Sequence, residues 1–202
     1  FYIIYIEGKP FSEALKKIKS GDEIYLDAVP YGHFTLDRFD SGGDLWLFST
    51  GTGVAPYLCM LQQEKIWKSF SSITLICSFR DQTQFVYWDT LPLELEKLTD
   101  FQSKNYKKFS FVPIYTREKT VSDCIVRGVR TRNTFSREYF DKLITNGEFK
   151  SILENSISTI NSKIMLSGNP DMIKTTRDFF KTLGLRSTRR NNPGHIAVEN
   201  YW

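Results

Sequence analysis

From Leu45 onward the chain is punctuated by short, unbroken apolar runs: residues 45–49 (LWLFS), 73–78 (ITLICS), 109–115 (FSFVPIY) and 163–167 (KIMLS). A strand with one wet face alternates apolar and polar residues. A run with no polar face belongs to a strand buried on both sides, as in a parallel sheet. Between the runs lie segments with helical spacing, over 55–66, 86–98, 136–145 and 170–183. Strand and helix in alternation predict an α/β fold, a parallel sheet with helices on both faces. The closing HIAVENYW (195–202) reads as a last strand.

The first forty-odd residues follow another pattern. Residues 1–6 (FYIIYI) are an aromatic and β-branched run, 11–19 (FSEALKKIK) a short amphipathic helix with Ser12 as its cap, and 23–29 (EIYLDAV) a second strand. A loop from Pro30 to Gly43, rich in Gly and Asp, then closes the segment. We therefore expect one domain over residues 1–43 and another over 44–202. The chain opens without Met, inside what reads as a strand, and so is expected to be a fragment of a longer one.

Charge narrows the partners. With 27 basic and 23 acidic residues the net charge is +4, which suits an anionic ligand or an acidic protein and is too weak to argue for nucleic acid. Cys59, Cys77 and Cys124 form no C-x-x-C pair, which fits a reducing cytoplasm. His33 and His195 are the only histidines, so no histidine-rich metal site is expected. No apolar stretch is long enough for a transmembrane helix, and no membrane contact is expected.

Two glycine turns follow predicted strands. Ser49-Thr50-Gly51-Thr52-Gly53-Val54-Ala55-Pro56 comes directly after the first apolar run. Glycines there allow close backbone approach to a ligand, threonines add hydrogen bonds, and the helix start behind favours a pyrophosphate. Pro56 stands where G-x-G-x-x-G would have its last glycine, so a plain strand-to-helix turn is the alternative. Leu166-Ser167-Gly168-Asn169-Pro170-Asp171-Met172 repeats the arrangement at another strand end, with Asn169 able to cap the helix. Arg80, Arg117 and Arg132 follow other strands or turns, and guanidinium forks match phosphate oxygens, although most surface arginines are only solvated. The terminal Tyr201-Trp202 is unusual for a chain end, which is normally polar and frayed. It is expected to pack on a flat cofactor ring or on a core edge.

Taken in order, FYIIYI, EGKPFSEAL, SGDEI, YGHFTLD, STGTGVAPYL, CSFR, YTRE, LSGNPDMI and PGHIAVENYW resemble the bacterial branch of the ferredoxin/flavodoxin–NADP⁺ reductases, over nearly the whole chain. The resemblance implies a flavoprotein that carries electrons between NADPH and an acidic carrier, ferredoxin or flavodoxin, through FAD. It implies that residues 1–43 are the C-terminal part of an antiparallel β-barrel that binds FAD, and that 44–202 bind NADP(H). Tyr2, Ile3 and Ile4 would line the flavin, and Lys9, Pro10, Phe11 and Ser12 would lie near the FAD pyrophosphate. Thr52 would approach the flavin. Trp202 would stack on it and gate the nicotinamide site. Phe79, Arg80, Thr116, Arg117 and Arg132 would hold the 2′-phosphate end of NADP⁺, with Arg127 or Arg130 as substitutes for Arg132. Gly168, Asn169 and Pro170 would hold the nicotinamide half. A monomer is expected.

Two departures stand out. The family's R-x-Y-S flavin motif is missing, and Ser167 stands where many relatives have Cys. Other readings are a different reductase of the superfamily (an oxygenase electron-supply component or flavin reductase), a truncated NADP-binding fragment without activity, and a basic interaction module.

Overall fold

Each apolar run becomes a strand of one sheet in the computed structural model, which describes residues 3, 5–29, 32–81, 84, 108–117, 124–126, 129–131, 134–135, 140–145, 157–189 and 192–201. The strands are β1 (Asp44–Thr50), β2 (Ser72–Phe79), β3 (Phe109–Tyr115), β4 (Cys124–Val126), β5 (Val129–Thr131), β6 (Thr134–Phe135), β7 (Ser162–Gly168) and β8 (Ile196–Asn200). Their order across the sheet is β4-β5-β3-β2-β1-β7-β8, with β6 also beside β3. Every pairing is parallel except the β4–β5 hairpin. The chain runs β1, β2, β3 in one direction, then returns to the other flank of β1 for β7 and β8.

Burial on both faces explains the unbroken apolar runs. Trp46 and Phe48 of β1, Ile76 of β2 and Val112 and Ile114 of β3 pack in one core with Phe140, Leu143, Met172, Ile173 and Phe180. These last lie on α4 (Phe140–Thr145) and α5 (Pro170–Thr182). Phe48 meets Phe140 at a centroid distance of 5.1 Å and Phe180 at 5.6 Å. Each such ring contributes roughly 1.5–3 kcal/mol by leaving water. The alternate residues of the strands face the opposite layer, where Trp67 of α3 (Glu64–Ser69) packs edge-on against Phe109 of β3.

The segment expected as one helix over 55–66 is two, α2 (Ala55–Leu61) and α3. The Leu61 carbonyl, which a continuous helix would give to the amide of Lys65, instead accepts the Trp67 indole N–H at 2.9 Å. A tertiary bond thus replaces a helical one. The β4–β5 hairpin and β6 are too short to show as periodicity. The helix expected over 86–98 lies outside the described residues.

The chain divides into two compact units, Phe1–His33 and Phe34–Trp202. The division falls inside the loop over 30–43, whose residues from Phe34 onward lie with the second unit. Leu36 and Phe39 are buried, and Arg38 exchanges hydrogen bonds with Thr188, so this loop is tied to the sheet unit. In the first unit α1 spans Pro10–Leu15, shorter than expected, with Lys9 rather than Ser12 at its N-cap. The Ser12 hydroxyl accepts the Ile6 amide at 3.1 Å instead. Residues 23–29 form no strand, because no neighbour among the described residues pairs with them. Ser12 is the one buried residue among those described here, while Tyr25 is 97%, Phe11 70% and Leu26 63% exposed.

Candidate functional site

Order reversal in an open parallel sheet leaves a crevice at the carboxyl ends of the strands where the two directions part. Here that point lies between β1 and β7. Both glycine turns fall on it. Gly51–Val54 forms a 3₁₀ turn after β1, and Gly168-Asn169-Pro170 follows β7.

The two turns interlock through backbone and the Thr50 hydroxyl. The Asn169 amide donates to Thr50 Oγ1 at 2.8 Å. A Cβ on Gly53 would stand 2.5 Å from the Ser167 carbonyl oxygen, and one on Gly168 would stand 2.3 Å from Thr50 Oγ1. Gly168 also holds φ +125°, a conformation that L side chains rarely adopt. Two of the glycines read as ligand-facing are therefore needed for turn-on-turn packing as well.

Asn169 caps α5 as its position suggests, its Oδ1 accepting the amides of Asp171 at 2.8 Å and Met172 at 3.2 Å. That spends the first free amides of this helix, so an anion has little to bind there. The turn after β1 differs. No side chain caps α2, and no acidic residue occupies its first turn. Thr52 lies within that turn, 9% exposed.

Along the same edge, β2 ends in buried Phe79 and then exposed Arg80. Thr116 N donates to Phe79 O at 2.8 Å and Arg117 N to Arg80 O at 2.9 Å, so the β2–β3 ladder continues past both strands. Arg80 and Arg117 are thereby set side by side. Neither makes a salt bridge to a described residue. From β3 to β7 is three strand spacings, roughly 14 Å, so the arginine pair, the Gly51–Val54 turn and the Gly-Asn-Pro turn form a row of dinucleotide length.

Two polar residues at this edge, Ser49 and Glu199, had no assigned role in the sequence, and they stand beside Cys77 and Ser167. Ser49 donates to Cys77 Sγ across the β1–β2 register at 3.0 Å. Ser167 Oγ is fully buried and has no hydrogen-bond partner among the described residues. Its register partner on β8 is Glu199, whose carboxylate bonds to the Tyr201 hydroxyl. Burial first, and Glu199 second, push Tyr201 up to about 12. An acid inside the apolar closing run was the signal for Glu199. The Tyr201 amide donates to Gly168 O at 3.0 Å, fixing the end of the chain beside the Gly-Asn-Pro turn.

Burial also pushes the Cys77 thiol up to about 12, although the Ser49 bond acts the other way. A thiol reagent at pH 8 is expected to label exposed Cys59 and spare Cys77 until the chain unfolds, as peptide mapping would read directly. Native labelling of Cys77 at the Cys59 rate would contradict its burial.

Of the other expected site residues, Lys9, Pro10, Phe11 and Ser12 stand at the start of α1, and Ile3 is half exposed. Tyr2, Ile4, Arg132 and Trp202 lie outside the described residues, as does Arg127. Arg130 is in β5. The basic residues Lys181, Arg186 and Arg189 sit at the opposite edge of the sheet. Arg186 N donates to His195 Nδ1 at the amino end of β8, a strand's length from the glycine turns. Among the described residues no group of His, Cys, Asp or Glu is placed to hold a metal, and no helix is long and apolar enough to cross a membrane.

No family model matches the sequence. The whole chain aligns with the flavodoxin/ferredoxin–NADP reductases of Buchnera aphidicola subsp. Baizongia pistaciae, at 31% identity, and Buchnera aphidicola subsp. Schizaphis graminum, at 32%. It spans 74% and 71% of their lengths. Among solved structures it is similar to a ferredoxin NADP⁺ reductase from Neisseria gonorrhoeae with bound FAD and NADP. There the TM-score is 0.77 and the identity 27%, over 98% of this chain and 72% of that one.

Proposed function

Because the chain belongs to the flavodoxin/ferredoxin–NADP reductase family, we propose that it is a flavoprotein oxidoreductase passing electrons between NADPH and ferredoxin or flavodoxin through FAD. The observation that carries this reading is the row along the carboxyl edge. An arginine pair, a glycine turn with an uncapped helix behind it and a Gly-Asn-Pro turn stand in the order that a 2′-phosphorylated dinucleotide requires.

The residues present fit NADP(H). Arg80 and Arg117 hold the 2′-phosphate, flanked by Phe79 and Thr116, and Arg132 is assigned to the same end. The Gly51–Val54 turn receives the pyrophosphate at the start of α2, where no side chain competes. Gly168, Asn169 and Pro170 hold the nicotinamide half. Ser167 supplies an unmet hydrogen bond beside them, in the position many family members give to Cys. Residues 1–43 are assigned to the FAD-binding domain and 44–202 to the NADP(H)-binding domain, with the loop from Phe34 to Gly43 belonging to the same compact unit as the latter. The exposed Phe11, Tyr25 and Leu26 support the first assignment, since an apolar surface of that kind is normally covered. Tyr2, Ile3 and Ile4 are assigned to the flavin ring, and Lys9, Pro10, Phe11 and Ser12 to its pyrophosphate. Ser12 keeps its hydroxyl proton as a donor, because its oxygen accepts from Ile6.

When bound, FAD supplies the exchange between two-electron hydride transfer and one-electron carriers. The chain supplies position. Thr52 and Trp202 are assigned to positioning and gating, and Tyr201, with Glu199 acting on it, keeps its hydroxyl proton beside the Gly-Asn-Pro turn. Free Cys59 and Cys77 support a reducing cytoplasm. In the sheet unit Ile160 and Leu183 are the only large apolar residues exposed among those described, which supports a monomer.

The test is a visible spectrum of the chain with FAD, followed by NADPH and an artificial acceptor. A bound-flavin spectrum with NADPH-dependent acceptor reduction is the expected result. NADPH binding without flavin would assign this chain the nucleotide half alone, and binding of neither would sink the reading.

A further inference from the structure

Pro193-Gly194-His195 leads into the closing strand, and nothing in the dinucleotide row uses it. β8 is the last strand of the sheet, so only its inner side meets a long neighbour, β7. Residues Arg186 to Thr188 cover the start of its outer side. Ile196 N donates to Arg186 O at 3.1 Å, and Thr188 N donates to Ile196 O at 2.8 Å. Gly194 lets the two segments meet, since a Cβ there would stand 2.6 Å from Arg186 O and 2.7 Å from Ser187 O.

His195 closes this contact toward three segments. Its amide donates to Arg186 O at 2.7 Å, and its carbonyl accepts the Ile164 amide of β7 at 2.7 Å. Its Nδ1 accepts the Arg186 amide at 3.0 Å, and its Nε2 lies 3.0 Å from Thr159 O, in the turn before β7. A backbone amide only donates and a carbonyl only accepts, so the ring is neutral and carries its proton on Nε2. One side chain thus ties β8 to the segment outside it and to the turn that leads into the strand inside it. At the other end of β8 the Tyr201 amide donates to Gly168 O at 3.0 Å, beside the Gly-Asn-Pro turn. The five residues of β8 join these two anchors, all in register with β7, and the register sets Glu199 beside Ser167.

We propose that His195 is a positioning residue: its ring bond to Arg186 holds β8 against β7 and thereby keeps Glu199 and Tyr201 at the nicotinamide half of the site. That this end is the nicotinamide half rests on the proposed reductase reading; the hold on β8 does not.

The experiment compares the full chain with His195→Ala and His195→Asn. Asparagine can set its Oδ1 where Nδ1 stands and keep the Arg186 bond, which alanine cannot. Amide hydrogen exchange is read at Tyr201, relative to Leu75 in the middle of β2. Tyr201 is expected to exchange about two- to tenfold faster in His195→Ala, as the loss of one hydrogen bond implies, and to return toward the wild-type rate in His195→Asn. Calorimetric binding of NADP⁺ and 2′,5′-ADP with FAD present gives a second reading. Tyr201 directly precedes Trp202, the assigned gate, so a looser hold on it should tighten NADP⁺ about two- to tenfold relative to 2′,5′-ADP in His195→Ala. A weakened fold alone does not tighten a ligand. Unchanged exchange at Tyr201 in His195→Ala, equal effects of alanine and asparagine, or an unchanged nucleotide ratio overturns the positioning role. If neither nucleotide binds the wild-type chain, the reductase reading fails, and the exchange rates still decide for or against the hold of His195 on β8.

Discussion

Replacing Gly168 by alanine is expected to destabilise the protein by about 3 kcal/mol or more and to abolish dinucleotide binding, the larger of the two effects predicted here for the turn. Two costs add. The residue holds φ +125°, which an L side chain rarely adopts. Its Cβ would also stand 2.3 Å from Thr50 Oγ1 and 2.7 Å from the Thr50 carbonyl oxygen. The second obstacle is backbone on the central strand and cannot rotate away. Relief requires the β7 turn to part from the β1 turn, which breaks the Asn169–Thr50 bond and shifts both halves of the proposed site together. Gly53→Ala meets the Ser167 carbonyl from the other side at 2.5 Å, without the dihedral cost, and should fall short of Gly168→Ala. Denaturant melts of both variants check the order. A Gly168→Ala protein as stable as wild type would show that the turns are not locked.

How far this was readable in advance depends on whether a feature is local. The β1, β2, β3 and β7 strands and α5 were legible because double-faced burial and helical capping leave marks on consecutive residues. FSFVPIY matches β3 residue for residue, and Asn169 caps the helix it precedes. The break between α2 and α3 left no mark, since its cause is a bond from Trp67 back to the Leu61 carbonyl. Residues 23–29 carry strand composition, yet a strand requires a neighbour and none pairs with them here. Ser12 looked like a cap by type, but the helix begins at Pro10. At the site, the glycine turns and arginines were legible by motif. Ser49 and Glu199 were not, because their place beside Cys77 and Ser167 depends on strand register on either side of the switch point.

Removing the arginine pair is the other large effect. In Arg80→Ala/Arg117→Ala the KM for NADPH is expected to rise about 30- to 1000-fold, while that for NADH moves by less than about threefold. Charge-assisted hydrogen bonds contribute roughly 1.5–3 kcal/mol each, and both guanidinium groups are exposed, so screening places the sum toward the lower end. The fold should survive, because the ladder that sets the two residues together uses only their backbone atoms. Salt offers an independent reading. Wild-type affinity for NADPH should weaken with ionic strength, and the double variant should lose most of that slope, since of the three arginines assigned to the 2′ end only Arg132 remains. If NADPH and NADH lose affinity equally, the arginines act through the fold or the pyrophosphate, and the 2′-phosphate must bind elsewhere. If NADPH alone suffers, the carboxyl ends of β2 and β3 read the phosphate, and the selectivity of the enzyme resides in the two residues that follow those strands.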